Sequence, residues 1–407
     1  MIAFPPKSNQ LVRFVIIVLA ISMYYYVYRY AFQYNDEGTS PTYSETPNVF
    51  KYGKYVLLLL VYSYFILKSR HSVSIGKFGQ RVFVCITFFC VVLFLRLCAL
   101  MEIDDVKILI VGLLPFIYIK FNGYVLVYSR ISRFLYHFFL FSAIYELVQI
   151  FLFYFIGRLP ALAYDNSISV RFGGPWDDPN GWGIALSFFI PFVYYYCRNG
   201  LCRKAMVACG ILMLIVTQSL TAIGAFVFSV SLTEYMIHKN KRVLYLLIVF
   251  ILLFIFYQLY ELFLSNSFII DYIEMKQGSI DDHAKSIDIF SDLEWYNYLF
   301  GVGEPFFNES DYVNMLCFGG IPMLLFYFTI SLSNILKLFK IVKRQSNEVA
   351  LWRGALTFQI AFLLASSNLP CTRMFYLYMM FNVFLCISTF NPDFRYCKGG
   401  CGKNNGE

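Results

Sequence analysis

Charged residues are scarce in this sequence. Asp, Glu, Lys and Arg make up only 14% of the 407 residues, whereas hydrophobic residues make up 59%. A soluble globular chain carries about 25% charge, because its surface must be hydrated. The shortage excludes an ordinary soluble fold and indicates a chain embedded in lipid, where every backbone polar group must be paired internally. Since no charged or low-complexity segment is long enough to form a separate domain, we treat residues 1–407 as a single transmembrane domain.

Long apolar runs occupy most of the chain. A helix of about 20 apolar residues crosses a hydrocarbon core of about 30 Å. We identify about twelve such runs, at roughly 11–28, 52–67, 82–100, 106–121, 134–156, 181–196, 205–219, 221–238, 243–262, 312–336, 354–369 and 373–390. Two of them nearly abut, which requires a tight turn near Ser219. The predicted fold is an all-α polytopic membrane protein with about twelve transmembrane helices.

The positions of Lys and Arg orient these helices. If both termini are cytosolic, every cytosolic loop is rich in Lys and Arg, and most of the 33 basic residues fall on that side. This is the distribution that the positive-inside rule requires, and the opposite orientation would invert it throughout. The net charge of +8 therefore reflects topology. We expect membrane lipid, and not nucleic acid, as its counterpart.

Cysteine gives little support for a metal site. The eleven cysteines are scattered along the chain. Cys397 and Cys401 in the C-terminal tail could supply two ligands, but a structural zinc site needs four. We predict no metal.

The first of two long outer loops, 157–180, holds a dense set of turn-forming residues. It contains the run Arg-Phe-Gly-Gly-Pro-Trp-Asp-Asp-Pro-Asn-Gly-Trp-Gly, beginning at Arg171. Gly and Pro at this density predict a fixed turn, and Asp178 or Asn180 can cap the helix that follows. A helix N-terminus beside Arg171 would make an anion site. The alternative is a plain helix cap, with Arg171 extended to the lipid headgroups.

Aromatic residues make up 20% of the chain. Clusters near predicted helix ends, such as Tyr194–Tyr196, are typical of the aromatic belt at a membrane interface. Trp176 and Trp182 are exceptions, because they flank the Asp-Pro-Asn turn. We assign these two to substrate binding, where an indole could stack on a sugar.

The second long outer loop, 263–311, carries charged side chains and an amphipathic stretch. Its charged and ionisable residues include Lys276, Asp281, Asp282, His283 and Lys285. The apolar spacing between Ala284 and Leu293 is typical of a helix lying on the membrane surface. At the end of the loop, Glu309 or Asp311 could act as a base. Equally, either could be an acidic residue favoured at a helix N-terminus by the helix dipole.

Two ionisable residues fall within the predicted spans. Glu146 lies near the middle of the fifth span, with Gln149 one turn on, and Arg96 lies toward the outer end of the third. A charge at bilayer depth costs on the order of 3 kcal/mol, so it should face the bundle or a wet cavity. Two interpretations stand: Glu146 pairs with Arg96, or these residues contact the substrate directly.

Together these segments resemble the O-antigen and capsular polysaccharide polymerases (Wzy-type), which are related to the O-antigen ligases. The resemblance rests on the order and spacing of several short motifs, and it covers roughly residues 134–336. The motifs are Arg171 with Asp178-Pro-Asn180 and Gly183, Ser219-Leu-Thr221-Ala, Phe300-Gly-Val-Gly303, and Glu309-Ser-Asp-Tyr312 followed by Gly319-Gly-Ile321. The resemblance implies a membrane glycosyltransferase similar to the GT-C fold, in a bacterial inner (plasma) membrane, that uses no nucleotide sugar, metal or other cofactor.

The reaction that the resemblance implies joins oligosaccharide repeat units carried on undecaprenyl diphosphate. A lipid diphosphate needs fixed cations, and the planar fork of arginine meets phosphate oxygens in a bidentate way. Arg171 is the first candidate, with Arg373, Lys276 and Lys285 as further members of the cluster. The attacking hydroxyl needs a base within about 3 Å, for which we favour Glu309 over Asp311.

Two other functions share many of these features. An O-antigen ligase would transfer finished polymer to a lipid acceptor, but the ligases carry a histidine where this chain has Glu309-Ser-Asp311. A transporter of lipid-linked oligosaccharides would show internal repeats and helices broken at midplane, and we find no convincing repeat. A chain-length regulator protein is an expected partner of a polymerase.

Overall fold

The computed structural model describes residues 48–68, 77–100, 103–114, 128–156, 163–165, 170–176, 178–238, 293–302, 309–344 and 348–390. These residues are mostly helical. The helices are α1 Asn48–Lys68, α2 Lys77–Leu100, α3 Ile103–Gly112, α4 Tyr128–Ile156, α5 Pro179–Tyr196, α6 Gly200–Val216, α7 Leu220–His238, α8 Trp295–Phe300, α9 Asp311–Lys343, α10 Val349–Ala365 and α11 Phe375–Phe390. Between α4 and α5, strands β1 (Ala163–Asp165) and β2 (Val170–Phe172) form an antiparallel pair.

The predicted apolar runs coincide with helices wherever the structure describes them. Helices α1 to α7 match the runs between 52 and 238, and α9 to α11 match those between 312 and 390. The runs at 11–28 and 243–262 lie outside the described residues. Four helices in the described ranges are long and apolar enough to cross a membrane, and α10 and α11 add shorter apolar segments. The four cover Gln80–Ala99, Ile131–Ile156, Leu220–His238 and Asp311–Lys343. The chain is thus a mostly helical, membrane-embedded protein.

Helices α5 and α10 form the centre of the bundle. Every residue of α5 from Gly181 to Val193 is buried, as expected of a helix that is apolar on all sides. Gly354 of α10 permits close packing, because a Cβ there would lie 2.9 Å from the carbonyl oxygen of Phe188 on α5. The Phe188 ring also stacks on Phe384 of α11, with centroids 4.9 Å apart. This packing fixes the position of α5 and of the turn that precedes it.

Helix α9 is broken near its start. Gly319 and Gly320 depart from helical geometry, and Gly320 adopts φ +68°, a conformation that glycine adopts without steric cost. Pro322, just beyond, has no N–H to donate to the preceding turn. The part from Ile321 to Lys343 spans about 34 Å at a rise of 1.5 Å per residue, long enough to cross the hydrocarbon core alone.

The short segment after α8 docks on this break. Val302 donates its N–H to the carbonyl oxygen of Cys317, at 2.8 Å. Gly301 has φ +82°, and a Cβ there would lie 2.6 Å from the same oxygen. A Cβ on Gly320 would in turn lie 2.4 Å from the backbone of Leu299. The segments that carry two glycine motifs noted in the sequence are therefore in direct contact. Gly301 leaves room for the backbone of Cys317, and Gly320 leaves room for the backbone of Leu299.

One end of the bundle, here called the basic end, joins α4, α5, α7 and α10. Ser132 of α4 donates to Glu348, just before α10, at 2.9 Å. Arg353 of α10 forms an ion pair with Glu234 of α7 at 3.2 Å, and the hydroxyl of Tyr195 on α5 donates to the same carboxylate. Lysines and arginines gather here, including Arg198, Arg203, Lys204, Lys337, Lys340, Lys343 and Arg344. These are the helix ends that the predicted topology places together in the cytosol.

Candidate functional site

The polar side chains that are candidates for function lie at the opposite end of the bundle from the basic end. We call this the polar end. It is formed where α5 and α9 begin and where α2, α6 and α10 end. The tight turn predicted near Ser219 lies here, between α6 and α7.

Arg171 bridges two helix ends. The residue stands on β2, where it pairs with Tyr164 of β1. Its Nε donates to the carbonyl oxygen of Thr217 at 2.9 Å, and its Nη2 donates to Oδ1 of Asn180 at 2.7 Å. A bidentate contact with a phosphate through Nε and Nη2 would therefore have to replace these bonds. The half-buried guanidinium is held at the point where α5 starts and α6 stops.

The predicted cap of the next helix is confirmed. Asp178 is the residue before α5, and its Oδ1 accepts a hydrogen bond from the N–H of Asn180 at 2.8 Å. Pro179 occupies the first helical position, where its missing N–H is not needed. Asn180 thus has two functions: its backbone is capped by Asp178, and its side chain accepts from Arg171.

The two tryptophans of this turn are buried. Trp176 is 4% exposed and Trp182 is 0% exposed, and their rings meet edge to face at 5.6 Å. The Nε1 of Trp182 donates to Oε2 of Glu146 at 2.8 Å. Gly174 has φ +57°, and a Cβ there would lie 2.5 Å from the same Nε1. Neither indole offers a face to a sugar in this structure; both hold the turn in place.

The predicted pairing of Glu146 with Arg96 is wrong. Glu146 accepts from Trp182 on α5, whereas Arg96 forms an ion pair with Asp105, with Nε to Oδ2 at 3.0 Å. Chain connectivity explains this outcome, because α3 begins three residues after α2 ends and brings Asp105 beside Arg96. Both side chains of the ion pair are buried, at 4% and 0% exposure.

Arg96 also ties the segment 293–302, which contains α8, to the bundle. Its Nη1 donates to the carbonyl oxygen of Val302 at 3.1 Å. Its guanidinium carbon lies 4.7 Å from the ring centroid of Phe318, and that of Arg373 lies 5.5 Å from the same ring. Two arginines from distant parts of the sequence therefore lie against one aromatic ring at the polar end.

Asp311 anchors the start of α9 to the turn between α10 and α11. Its Oδ1 accepts from the hydroxyl of Thr372 at 2.7 Å, and its Oδ2 accepts from the N–H of the same residue at 2.9 Å. The carboxylate is fully buried. Its own N–H donates to the carbonyl oxygen of Ser366 at 2.9 Å. Arg373 is close enough to interact with Asp311 electrostatically.

Glu309, two residues earlier, is exposed. Of the two carboxylates considered as a base, Glu309 is the one that a substrate could reach without rearrangement of the bundle. Cys371, in the same turn as Thr372, is a poor alternative nucleophile. Burial, followed by the negative charge of Asp311, raises the pKa of this thiol well above its usual value, so the thiol stays protonated. Lys276, His283 and Lys285 lie outside the described residues.

The turn at Arg171 and the turn at Thr372 are neighbours. A Cβ on Gly181 of α5 would lie 3.3 Å from Sδ of Met374. The ring of Trp176 packs on that of Tyr376, with centroids 5.7 Å apart. The polar end therefore collects Arg171, Asp178 and Asn180 beside Asp311 and Arg373, with Arg96 linked to them through Phe318.

Sequence reasoning did not identify Thr217, Asp105 or Thr372 as partners in this cluster. Asp105 carried a usable signal, since it is an acidic residue at the start of the helix that follows Arg96. The carbonyl oxygen of Thr217 carried none, because a backbone acceptor has no side-chain signature. Among the described residues, no three His, Cys, Asp or Glu side chains are grouped so as to hold a metal ion.

Comparison with known proteins gives no match, either to a protein-family model or to a curated protein.

Proposed function

We propose that this chain polymerises undecaprenyl diphosphate-linked oligosaccharide repeat units into a surface polysaccharide. The reaction would take place at the polar end, on the outer face of a bacterial inner membrane, with about twelve spans arranged in a GT-C-like fold and both termini in the cytosol. The observation that carries the proposal is the grouping at the polar end of side chains from segments far apart in sequence. They include two half-buried arginines, Arg171 and Arg373, and an exposed carboxylate, Glu309.

The chemistry of the transfer fits this arrangement. The bond between the anomeric carbon of the growing chain and its lipid diphosphate breaks, and a bond to a sugar hydroxyl of the next unit forms. Glu309 would accept the proton of that hydroxyl, because it is exposed beside the buried start of α9. Arg171 and Arg373 would bind the diphosphate as it leaves, since charge-assisted bonds to phosphate are roughly twice as strong as neutral ones.

Asp311 has a different role in this scheme. Its two oxygens are bonded to Thr372, so it positions the α10–α11 turn that carries Arg373. We therefore assign proton transfer to Glu309 and positioning to Asp311. The buried Glu146 likewise acts through Trp182, by holding the turn that carries Asn180. A chain-length regulator protein remains the expected partner.

The proposal is tested with purified protein and lipid-linked repeat units, with chelator and without nucleotide sugar, and with the products separated by length. General-base catalysis contributes roughly 10²–10⁴-fold, so Glu309→Gln should leave almost only single units. Its matched control is Glu294→Gln, since Glu294 is also exposed and lies just before α8. If Glu309→Gln makes a near-normal ladder, Glu309 is not the base.

The arginine assignment has its own matched pair. Arg171→Lys keeps the charge but cannot reproduce a two-pronged contact with phosphate, so it should shorten or abolish the ladder. Arg203→Lys, at the basic end, should leave it unchanged. A ladder of normal length and yield from Arg171→Lys would remove this residue from the diphosphate site. If the wild-type protein lengthened no lipid-linked unit, the ligase and transporter alternatives would take precedence.

A further inference from the structure

Helix α8 turns its apolar face away from the protein. Its four most exposed side chains are Trp295 (71%), Tyr296 (48%), Leu299 (45%) and Phe300 (77%). At 100° per residue these positions share one stripe about 140° wide. The opposite face carries Asn297 and Tyr298, which are less exposed. A helix at a water-facing surface exposes its polar side chains and buries its apolar ones. Helix α8 does the reverse.

The position of α8 is fixed by the bundle. Gly301 ends the helix, and Val302 then donates to Cys317 and accepts from Arg96. Leu299 lies against the backbone of Gly320 at the break in α9. These contacts hold α8 beside the end of α2 and beside the point where the long part of α9 begins.

The two helices that hold α8 also expose apolar side chains, close in sequence to their contacts with it. Phe94 and Leu95, just before Arg96, are 54% and 61% exposed. Ile321 and Leu325, just after the break in α9, are 42% and 60% exposed. Both pairs belong to helices that are long and apolar enough to span a membrane, so we infer that these side chains face lipid. Helix α8 is held beside them, through Val302 to Arg96 and through Leu299 to Gly320.

We propose that α8 is an interfacial anchor, with Trp295, Tyr296 and Phe300 inserted into the boundary between lipid headgroups and acyl chains. Trp and Tyr are enriched in that layer because they are apolar with one polar group, and a short amphipathic helix lies in its plane. The occupant is bilayer lipid and not a sugar, because Leu299 and Phe300 offer no polar group to hydrogen-bond a hydroxyl. The anchor does not depend on the proposed function. It would hold the end of the second outer loop against the membrane.

Tryptophan fluorescence tests the anchor directly, because the other three tryptophans, Trp176, Trp182 and Trp352, are buried at 4%, 0% and 1% exposure. The full chain would be placed in nanodiscs of phosphatidylcholine, with or without bromine on the upper acyl chain, and Trp295→Phe would be measured in parallel. Subtracting the emission of the Trp295→Phe variant from that of the wild-type protein gives the emission of Trp295 alone. We expect brominated lipid to quench most of this difference and aqueous iodide to quench little of it. Strong quenching by iodide alone would show that Trp295 faces water, as a sugar platform would. Quenching by neither would show that protein covers it. Either result overturns the proposal.

Two further variants separate the faces of the helix. In the Trp295→Phe background, Phe300→Trp places the probe on the exposed stripe, and Tyr298→Trp places it on the face toward α9. The anchor predicts bromine quenching of the first and much weaker quenching of the second. Equal quenching of both by lipid, or quenching of Phe300→Trp by iodide alone, would contradict it. The wild-type protein gives an independent check that needs no variant, since brominated lipid should reduce its total emission more than iodide does.

Discussion

The buried ion pair between Arg96 and Asp105 gives a quantitative test of the polar end. We predict that replacing either partner destabilises the protein strongly, whereas replacing both together destabilises it much less than the sum. The variants are Arg96→Met, Asp105→Ala and the double mutant. Both side chains are almost fully buried and their atoms are 3.0 Å apart, so each single change leaves a charge without its counter-ion in the interior.

The magnitude follows from what each change removes. Removing one partner of a buried pair costs about 3–5 kcal/mol, so two independent changes would sum to roughly 6–10 kcal/mol. In the double mutant no buried charge is stranded. What is lost is the bond to Val302 and the contact with Phe318, together about 2–4 kcal/mol for a charged hydrogen bond and a cation–π contact. The expected coupling between the two sites is several kcal/mol.

Thermal unfolding of purified protein in detergent, followed with a dye that reacts with exposed thiols, measures the effect. Cys85, Cys90, Cys317, Cys371 and Cys386 are buried and report the loss of structure. Each single variant should unfold many degrees below the wild type, because about 1 kcal/mol moves the midpoint of a large domain by 2–4 °C. Arg198→Met, at an exposed site, should unfold with the wild type. The losses of stability in the two single variants could simply add up in the double mutant, or Arg96→Met could be as stable as Arg198→Met. Either result would show that the ion pair does not hold the polar end together. The alternative interpretation, in which Arg96 contacts the substrate directly, would then be favoured.

Three smaller predictions concern other contacts, each read from the same unfolding midpoint. Glu146→Ala strands a buried indole donor and should cost about 1–3 kcal/mol, whereas Glu146→Gln keeps an acceptor and should cost less; equal midpoints for the two would contradict the bond. Gly320→Ala should sharply lower the yield of folded protein, because φ is +68° and a Cβ would meet backbone at 2.4 Å, whereas Gly224→Ala, with nothing within 4 Å, should be tolerated. Thr372→Val removes one of the two bonds to Asp311 and should cost about 1–3 kcal/mol, while Thr372→Ser should retain most of the stability; a Val variant as stable as Ser would indicate that the hydroxyl bond contributes nothing.

The sequence predicted the helices well where local physics decides. Apolar runs identify buried or lipid-facing helices because a backbone in lipid has few alternatives. The turn near Ser219 and the Asp178 cap were also predictable, because each depends on residues within a few positions of one another.

The partners of the charged residues were harder to predict. Glu146 and Arg96 were both expected to need a polar partner, and each has one. The partner of Arg96 is Asp105, nine residues further along the chain, and it was within reach of local reasoning. The partner of Glu146 is Trp182, and that contact depends on how α4 and α5 pack, which no short segment encodes. Asp311 and Glu309 illustrate the same limit. Two acidic residues at the start of one helix look alike in sequence, yet one is buried against Thr372 and the other is exposed.

The ratio of lipid diphosphate released to glycosidic bonds formed tests the proposed polymerase activity most directly. Purified wild-type protein would be incubated with repeat units on undecaprenyl diphosphate, and the free lipid diphosphate and the new linkages between repeats would be counted in the same sample. Each transfer breaks one sugar–phosphate bond and forms one bond between repeats. We therefore expect one lipid diphosphate to be released per linkage, throughout elongation. Release without new linkages between repeats would indicate a hydrolase. No release would indicate a transporter, or a ligase that lacks its lipid acceptor in this mixture. Either result would contradict the proposed activity.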